Sequence, residues 1–174
     1  MNKNELESLV TTELHEMLST VTDNDIDTVI SMIKNARKIV TIGAGRMGYS
    51  IKSFTMRLTH MGFDASHYGD TGVPFTSKED LVIFASSSGE TLTNVCLAEI
   101  AKKYECKILL VSFNPESSIG KLADYTVKLN NIKSKQLMKS APEHATYMLY
   151  DMIALKLSEG MDIKQIENNH SILE

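Results

Sequence analysis

From residue 38 onward the chain alternates short β-branched runs with helix-length stretches, and this alternation restricts the fold more than any other feature. Lys38-Ile39-Val40-Thr41-Ile42 is a run that stops at Gly43, as a strand buried in a parallel sheet does. Residues 64–68, 81–85, 107–113 and 125–129 read as four more strands, and the run Leu81-Val82-Ile83-Phe84-Ala85 is the strongest. Helical stretches over 47–61, 91–104 and, more briefly, 118–123 fall between the runs. A long helix over 142–158 follows, then a polar tail over 161–174. Strands alternating with helices demand a parallel sheet covered on both faces. Right-handed crossovers leave few ways to order it. The expectation is an α/β three-layer sandwich: a flavodoxin-like open parallel sheet of about five strands, ordered near 2-1-3-4-5.

Ahead of the sheet, Leu6, Val10, Leu14, Met17 and Leu18 recur at helical spacing, so the N-terminus reads as an amphipathic helix. Its apolar stripe is a candidate assembly contact, because the sheet already has helices to cover it. Asp23 or Asn24 can cap a second helix carrying Ile26, Val29, Ile30 and Ile33. With 174 residues, no low-complexity linker and no fixed-period repeat, the whole of 1–174 reads as a single domain with an N-terminal helical extension and a C-terminal tail. A domain of this length buries roughly 70% of the surface its unfolded chain exposes, so it needs no disulfide or metal staple. Cys96 and Cys106 read as buried helix and strand-edge positions, and with no partnering Cys/His pair they give no metal signature. A net charge of −4 argues against a dedicated nucleic-acid binder. No apolar run reaches the ~20 residues of a bilayer span, and the opening MNKNELESLV lacks a signal-peptide pattern. The expected compartment is the cytoplasm, with no membrane or nucleic-acid partner.

Ligands of open parallel sheets bind at the carboxyl ends of the strands, which directs attention to the loops after Ile42, Tyr68, Ala85 and Phe113. The first, Gly43-Ala44-Gly45-Arg46-Met47-Gly48, has the G-x-G-x-x-G spacing of a dinucleotide site. Asp64, however, falls at the start of the second strand rather than its end, and the chain has no room for a substrate domain. The glycines serve equally as a tight turn that lets the helix pack closely. Arg46 at a helix N-terminus opposes the helix dipole and needs an anionic partner. The loop after the third strand, Ser86-Ser87-Ser88-Gly89-Glu90-Thr91, places three hydroxyls and a capping threonine where a helix begins. Free N–H groups and the positive helix end favour a phosphate there. The same residues also make an ordinary serine-rich cap. Glu90 would repel a phosphate and is expected to face the sugar or a neighbouring group.

Ser-x-Ser-Gly-Glu-Thr after a strand, with Gly-x-Gly-Arg-x-Gly one loop earlier, resembles the sugar isomerase (SIS) domain, and more narrowly the 6-phospho-3-hexuloisomerase family. The resemblance extends through Met56-Arg57-Leu58-Thr59-His60-Met61-Gly62-Phe63, the loop from Tyr68-Gly69-Asp70-Thr71 to Pro74 (with Asp where Glu is usual), Ala98-Glu99-Ile100-Ala101-Lys102-Lys103, Asn114-Pro115 and Leu122-Ala123-Asp124. The ending His170-Ser171-Ile172-Leu173-Glu174 is similar to the family's His-Ala-Asn-Leu-Glu. Met47 stands where the family has serine. Gln136-Leu137-Met138-Lys139-Ser140-Ala141-Pro142-Glu143 aligns with Gln-Pro-Met-Gly-Ser-Leu-Phe-Glu, so Lys139 replaces glycine and Ala141-Pro142 replaces Leu-Phe. These departures point to a changed substrate or a lost activity.

The resemblance implies conversion of 3-hexulose 6-phosphate to fructose 6-phosphate through an enediolate, with no metal and no redox cofactor. By residues alone Glu143 is an acid favouring a helix start behind Pro142, and His60 a dipole partner at a helix end. The resemblance makes Glu143 the base and His60 the proton shuttle, an imidazole being suited to work near neutrality. Gly45, Arg46, Ser86, Ser87, Ser88, Glu90 and Thr91 become the sugar-phosphate ligands. His67, His144 and His170 have weaker cases. It further implies a homotetramer with the histidine and glutamate of each site on different subunits. The enzyme would work beside a hexulose-phosphate synthase in formaldehyde fixation or detoxification, the ribulose monophosphate pathway. The rivals are a non-catalytic sugar-phosphate sensor built on the same serine loop, and an isomerase of another phosphosugar.

Overall fold

In the computed structural model, which describes residues 1–73 and 76–170, five strands form one all-parallel sheet in the order β2-β1-β3-β4-β5. They are β1 (Ile39–Gly43), β2 (Ala65–His67), β3 (Leu81–Ala85), β4 (Lys107–Ser112) and β5 (Tyr125–Lys128). This is the order the alternation predicts. Ile39 lies opposite Leu81 and Gly43 opposite Ala85, and this register makes the glycine loop and the serine loop leave adjacent strands at the same height.

The helices are α1 (Lys3–Leu18), α2 (Asp23–Asn35), α3 (Gly45–His60), α4 (Leu92–Lys103), α5 (Ser118–Leu122), α6 (Ala141–Leu157) and α7 (Ile163–Asn168), with a 3-10 turn at Leu137–Lys139. Two expectations change. The cap of α2 is Thr22 rather than Asp23 or Asn24. Its hydroxyl accepts from the Asp25 N–H and the Asp25 carboxylate accepts from the Thr22 N–H, a reciprocal box that needs an acid three residues on. The expected polar tail contains α7, started by Asp162, whose side chain accepts from the Lys164 N–H. No residue of α7 is buried, so it has no apolar stripe for periodicity to detect. Pro74 and residues 171–174 of the family-like ending lie outside the described residues.

Strand residues alternate between two cores. Leu81, Ile83 and Ala85 join Ile33, Ile51, Phe54, Leu58, Tyr150 and Ile153 under α2, α3 and α6. The Phe54 and Tyr150 rings stack with centroids 4.8 Å apart. Val82 and Phe84 join Val40, Ile42, Ala98, Ala101 and Ile119 under α4 and α5. Cys106 is buried as expected, but Cys96 is exposed, because α4 turns Asn94, Ala98 and Ala101 inward and leaves position 96 outside. The stripe on α1 is partly used within the chain: Leu14 and Met17 pack on Ala141 and Ala145 of α6, and Leu6 stays exposed.

Candidate active site

The glycine loop divides its labour. A Cβ on Gly48 would lie 2.7 Å from the Gly43 oxygen, and one on Gly43 would lie 2.9 Å from the Gly48 Cα. These two glycines let α3 close onto β1. Met47, at the family's serine position, is buried in the core, where the Thr146 hydroxyl lies 3.9 Å from its sulfur. Its change therefore alters packing rather than the loop surface. Arg46 finds the anionic partner its position calls for: its Nε lies 3.1 Å from Glu143 Oε1, and Nη2 donates to the Met138 carbonyl at 2.5 Å. Met138 holds a left-handed backbone, φ 54°, which orients the segment that leads into α6. Glu143 is the third residue of α6 behind Pro142, and its side chain is 13% exposed.

In the serine loop, Ser86 is buried and its hydroxyl accepts from the Gly89 N–H at 3.1 Å. The Ser88 hydroxyl accepts from the Glu90 N–H at 3.2 Å. Thr91 occupies the cap position of α4 but makes no side-chain cap bond, contrary to the capping role expected of it. The first-turn N–H groups of α4 are thereby left for a ligand. Glu90 turns to a neighbour and accepts from the Ser118 N–H at 2.8 Å. The hydrogen bonds from Ser118 hold its carboxyl below the ordinary value. Gly89 has φ +67°, and a Cβ there would lie 1.9 Å from the Ser117 hydroxyl. Gly89→Ala is therefore expected to cost about 2–4 kcal/mol, from left-handed strain plus overpacking. Chemical denaturation of the purified variant checks this.

Ser87 and Ser88 line a cavity of about 640 Å³ together with Asn114, Lys133, Ser134 and Pro142. Pro142 is the residue before Glu143, so the Arg46–Glu143 pair stands beside the cavity. Glu143 itself is not among its lining residues. Asn114 follows the fourth strand, in a loop the sequence singles out, but Lys133 and Ser134 escape sequence reasoning because residues 129–135 carry no periodic signal and no motif. A second, smaller recess sits beyond the glycine loop. There Lys52 Nζ donates to Asp70 at 2.8 Å, and buried His67 shares a 2.9 Å hydrogen bond with Thr41 through Nδ1. Burial lowers the His67 pKa from its usual value, with Asp70 opposing and Lys52 adding to the effect. His144 is exposed.

His60 is not brought to Glu143. It ends α3, whereas Arg46 begins it, about 21 Å away at 1.5 Å per residue. The His60 ring packs against that of His170, centroids 4.9 Å apart. Both line a mostly apolar groove with Met56, Leu155 and Ile166.

Glu13 of α1 is buried, and its carboxylate accepts from Ser134 Oγ at 2.7 Å, the Lys135 N–H at 2.7 Å and Gln136 Nε2 at 3.1 Å. Burial alone would raise its pKa. The bonds from Lys135, Ser134 and Gln136, with the Lys135 charge, outweigh this and hold it below its ordinary 4.5. A carboxyl with a depressed folded value contributes stability in full above the unfolded value, and loses it as pH falls through the folded one. Stability measured by urea midpoints should thus fall below about pH 4.5 less steeply in Glu13→Gln than in the native chain.

A phosphate-ready helix start beside an Arg–Glu pair, at the carboxyl edge of a 2-1-3-4-5 sheet, is the arrangement of a sugar-phosphate-handling domain. The chain belongs to the SIS domain family, whose model matches residues 32–156. Within the family it is similar to the 3-hexulose-6-phosphate isomerase of Bacillus subtilis (strain 168), at 35% identity over 185 residues covering 100% of both chains. It is also similar to the 3-hexulose-6-phosphate isomerase of Methanocaldococcus jannaschii, at 32% identity covering 83% of this chain and 80% of that one. The crystal structure of a Methanococcus jannaschii protein, from which the function of a 3-hexulose-6-phosphate isomerase was inferred, superposes with a TM-score of 0.89 at 29% identity. It covers 98% of this chain and 99% of its own. Among the described residues no helix is long and apolar enough to cross a membrane.

Proposed function

We propose that this chain is a 3-hexulose-6-phosphate isomerase, producing fructose 6-phosphate. The observation that carries the proposal is the Glu143 carboxylate, held by Arg46 at the start of α6, next in the chain to Pro142, which lines a cavity together with Ser87 and Ser88 of the serine loop. The similarity in full length to an isomerase of that name supports the substrate. Residues 1–174 then act as one domain. Ser87, Ser88, Thr91 and the α4 N-terminus hold the phosphate, braced from behind by Ser86. Glu143 takes the proton from C2 of the 3-ketose, the electron pair forms the C2–C3 double bond, and O3 takes up a proton to give the enediol. Return of a proton to C3, with loss of the O2 proton, gives the 2-ketose. Arg46 and the backbone at Gly45 face the charge that develops on oxygen. Glu90 shapes the loop through α5. The reaction as written needs no metal or redox cofactor.

The proton on oxygen is moved by His60 of a second copy, since within one chain His60 ends α3 while Glu143, on α6, is paired with Arg46 at the start of α3. The assembly is a homo-oligomer, a tetramer by resemblance. Tyr49 and Met56 on α3, with Met148, Met152 and Leu155 on α6, are exposed apolar residues on the same layer as the His60 groove, which supports a partner there. The compartment is the cytoplasm and the reaction follows a hexulose-phosphate synthase. Crystals soaked with fructose 6-phosphate test the ligand assignment: phosphorus is expected within hydrogen-bond reach of residues 87–91. Density for the phosphate elsewhere would remove the serine loop from the site.

A further inference from the structure

We propose that Glu13 is a positioning residue, a carboxylate sent from outside the matched 32–156 region to fix residues 134–136 as a wall of the sugar-phosphate cavity. The proposal rests on reading that cavity as the sugar-phosphate site. A buried carboxylate is tolerated only when its oxygens are well hydrogen-bonded. Here the three bonds go to one irregular segment more than a hundred residues away. That segment lacks sheet or helix to hold it. Its own bonds are short-range, Ser134 N–H to the Ile132 carbonyl and Gln136 N–H to the Ser134 hydroxyl.

Two consequences run toward the site. Ser134, gripped by Glu13, lines the cavity with Lys133, Ser87 and Ser88. Gln136, which donates to the same Glu13 oxygen as Ser134, accepts through Oε1 from the hydroxyl of Ser140 at 3.4 Å, three residues before Glu143. Helix α1 is itself anchored, by Leu14 and Met17 on Ala141 and Ala145 and by the Asn130 N–H donating to the Met17 carbonyl at 2.8 Å. A rigid helix thus carries a charged acceptor to a wall that has no secondary structure of its own. Lys133, beside the fixed Ser134, supplies a cation suited to an anionic or hydroxyl-rich ligand.

The test compares native protein, Glu13→Ala and Glu13→Gln in fructose 6-phosphate binding by calorimetry, steady-state kinetics and amide hydrogen exchange of residues 134–136. Glu13→Ala is expected to exchange faster in that segment and to raise both Kd and KM by about tenfold, with kcat within about twofold, the pattern of a displaced wall rather than a lost reacting group. Glu13→Gln keeps the length and one acceptor oxygen, and should recover most of the affinity. Should Glu13→Ala fail to fold, Glu13→Gln carries the reading, with an expected rise in Kd of about threefold confined to the same exchange change. Native Kd in a folded Glu13→Ala, or unchanged exchange at residues 134–136, overturns the role of Glu13. A native protein that binds no fructose 6-phosphate overturns the assignment of the cavity instead, and this proposal with it.

Discussion

Glu143→Gln is expected to lower isomerisation of 3-hexulose 6-phosphate by about 10²–10⁴-fold, the usual contribution of a positioned base, while fructose 6-phosphate still binds. Glutamine keeps the shape of the side chain and one oxygen for Arg46, but it cannot take a carbon-bound proton. A glutamate at the third position of a helix also favours the helix dipole, and that role alone predicts a different result: a loss of roughly 1 kcal/mol in stability with little change in rate. Turnover, product binding and melting temperature measured on one preparation separate the two. Near-native turnover would remove Glu143 from the chemistry. A native protein that binds fructose 6-phosphate yet turns over none of the 3-ketose would favour the sensor. Turnover of a different ketose phosphate would instead give weight to the changed residues Lys139 and Ala141-Pro142.

Mixing Glu143→Gln with His60→Ala subunits is expected to restore activity that neither variant has alone. If each site takes its glutamate from one copy and its histidine from another, random mixing gives about one native site in four, so recovery should approach a quarter of the native rate. His60 ends α3, whereas Glu143 on α6 is paired with Arg46 at the start of α3, so a single copy holds the two residues a helix length apart. Subunits are mixed by unfolding and refolding together, with sedimentation confirming assembly. A monomeric native enzyme, or no recovery in mixed oligomers, would contradict the shared site. The His60–His170 contact would then be a structural end to α3 and α7.

Legibility in the sequence varies by residue. The run Leu81–Ala85 is a strand from end to end as its composition says, because a strand buried on both faces has no polar alternation to blur it. Arg46 is marked by its unfavourable place on a helix dipole, and the structure supplies Glu143 as the partner. Periodicity fails for α7, which buries nothing. It fails for Cys96 because helix boundaries alone do not give rotation. Thr91 reads as a cap yet makes no cap bond, since the same spacing suits a helix start that is satisfied and one that is left open. Lys133, Ser134 and Glu13 give no signal at all, because their relation is between segments over a hundred residues apart.

The amino-acid sequence by itself determined the layers, the strand order and the two loops at the carboxyl edge. Those follow from local apolar periodicity, from chain chirality and from glycines whose missing Cβ atoms are needed where α3 meets β1. Tertiary structure alone decided what stands next to what: that Met47 faces the core instead of the loop, that His60 is carried away from Glu143, and that a glutamate of α1 holds the cavity's irregular wall. The reason is physical. Local pattern encodes which surface an element must bury, whereas the pairing of two buried polar groups depends on distances that exist only once the elements have packed.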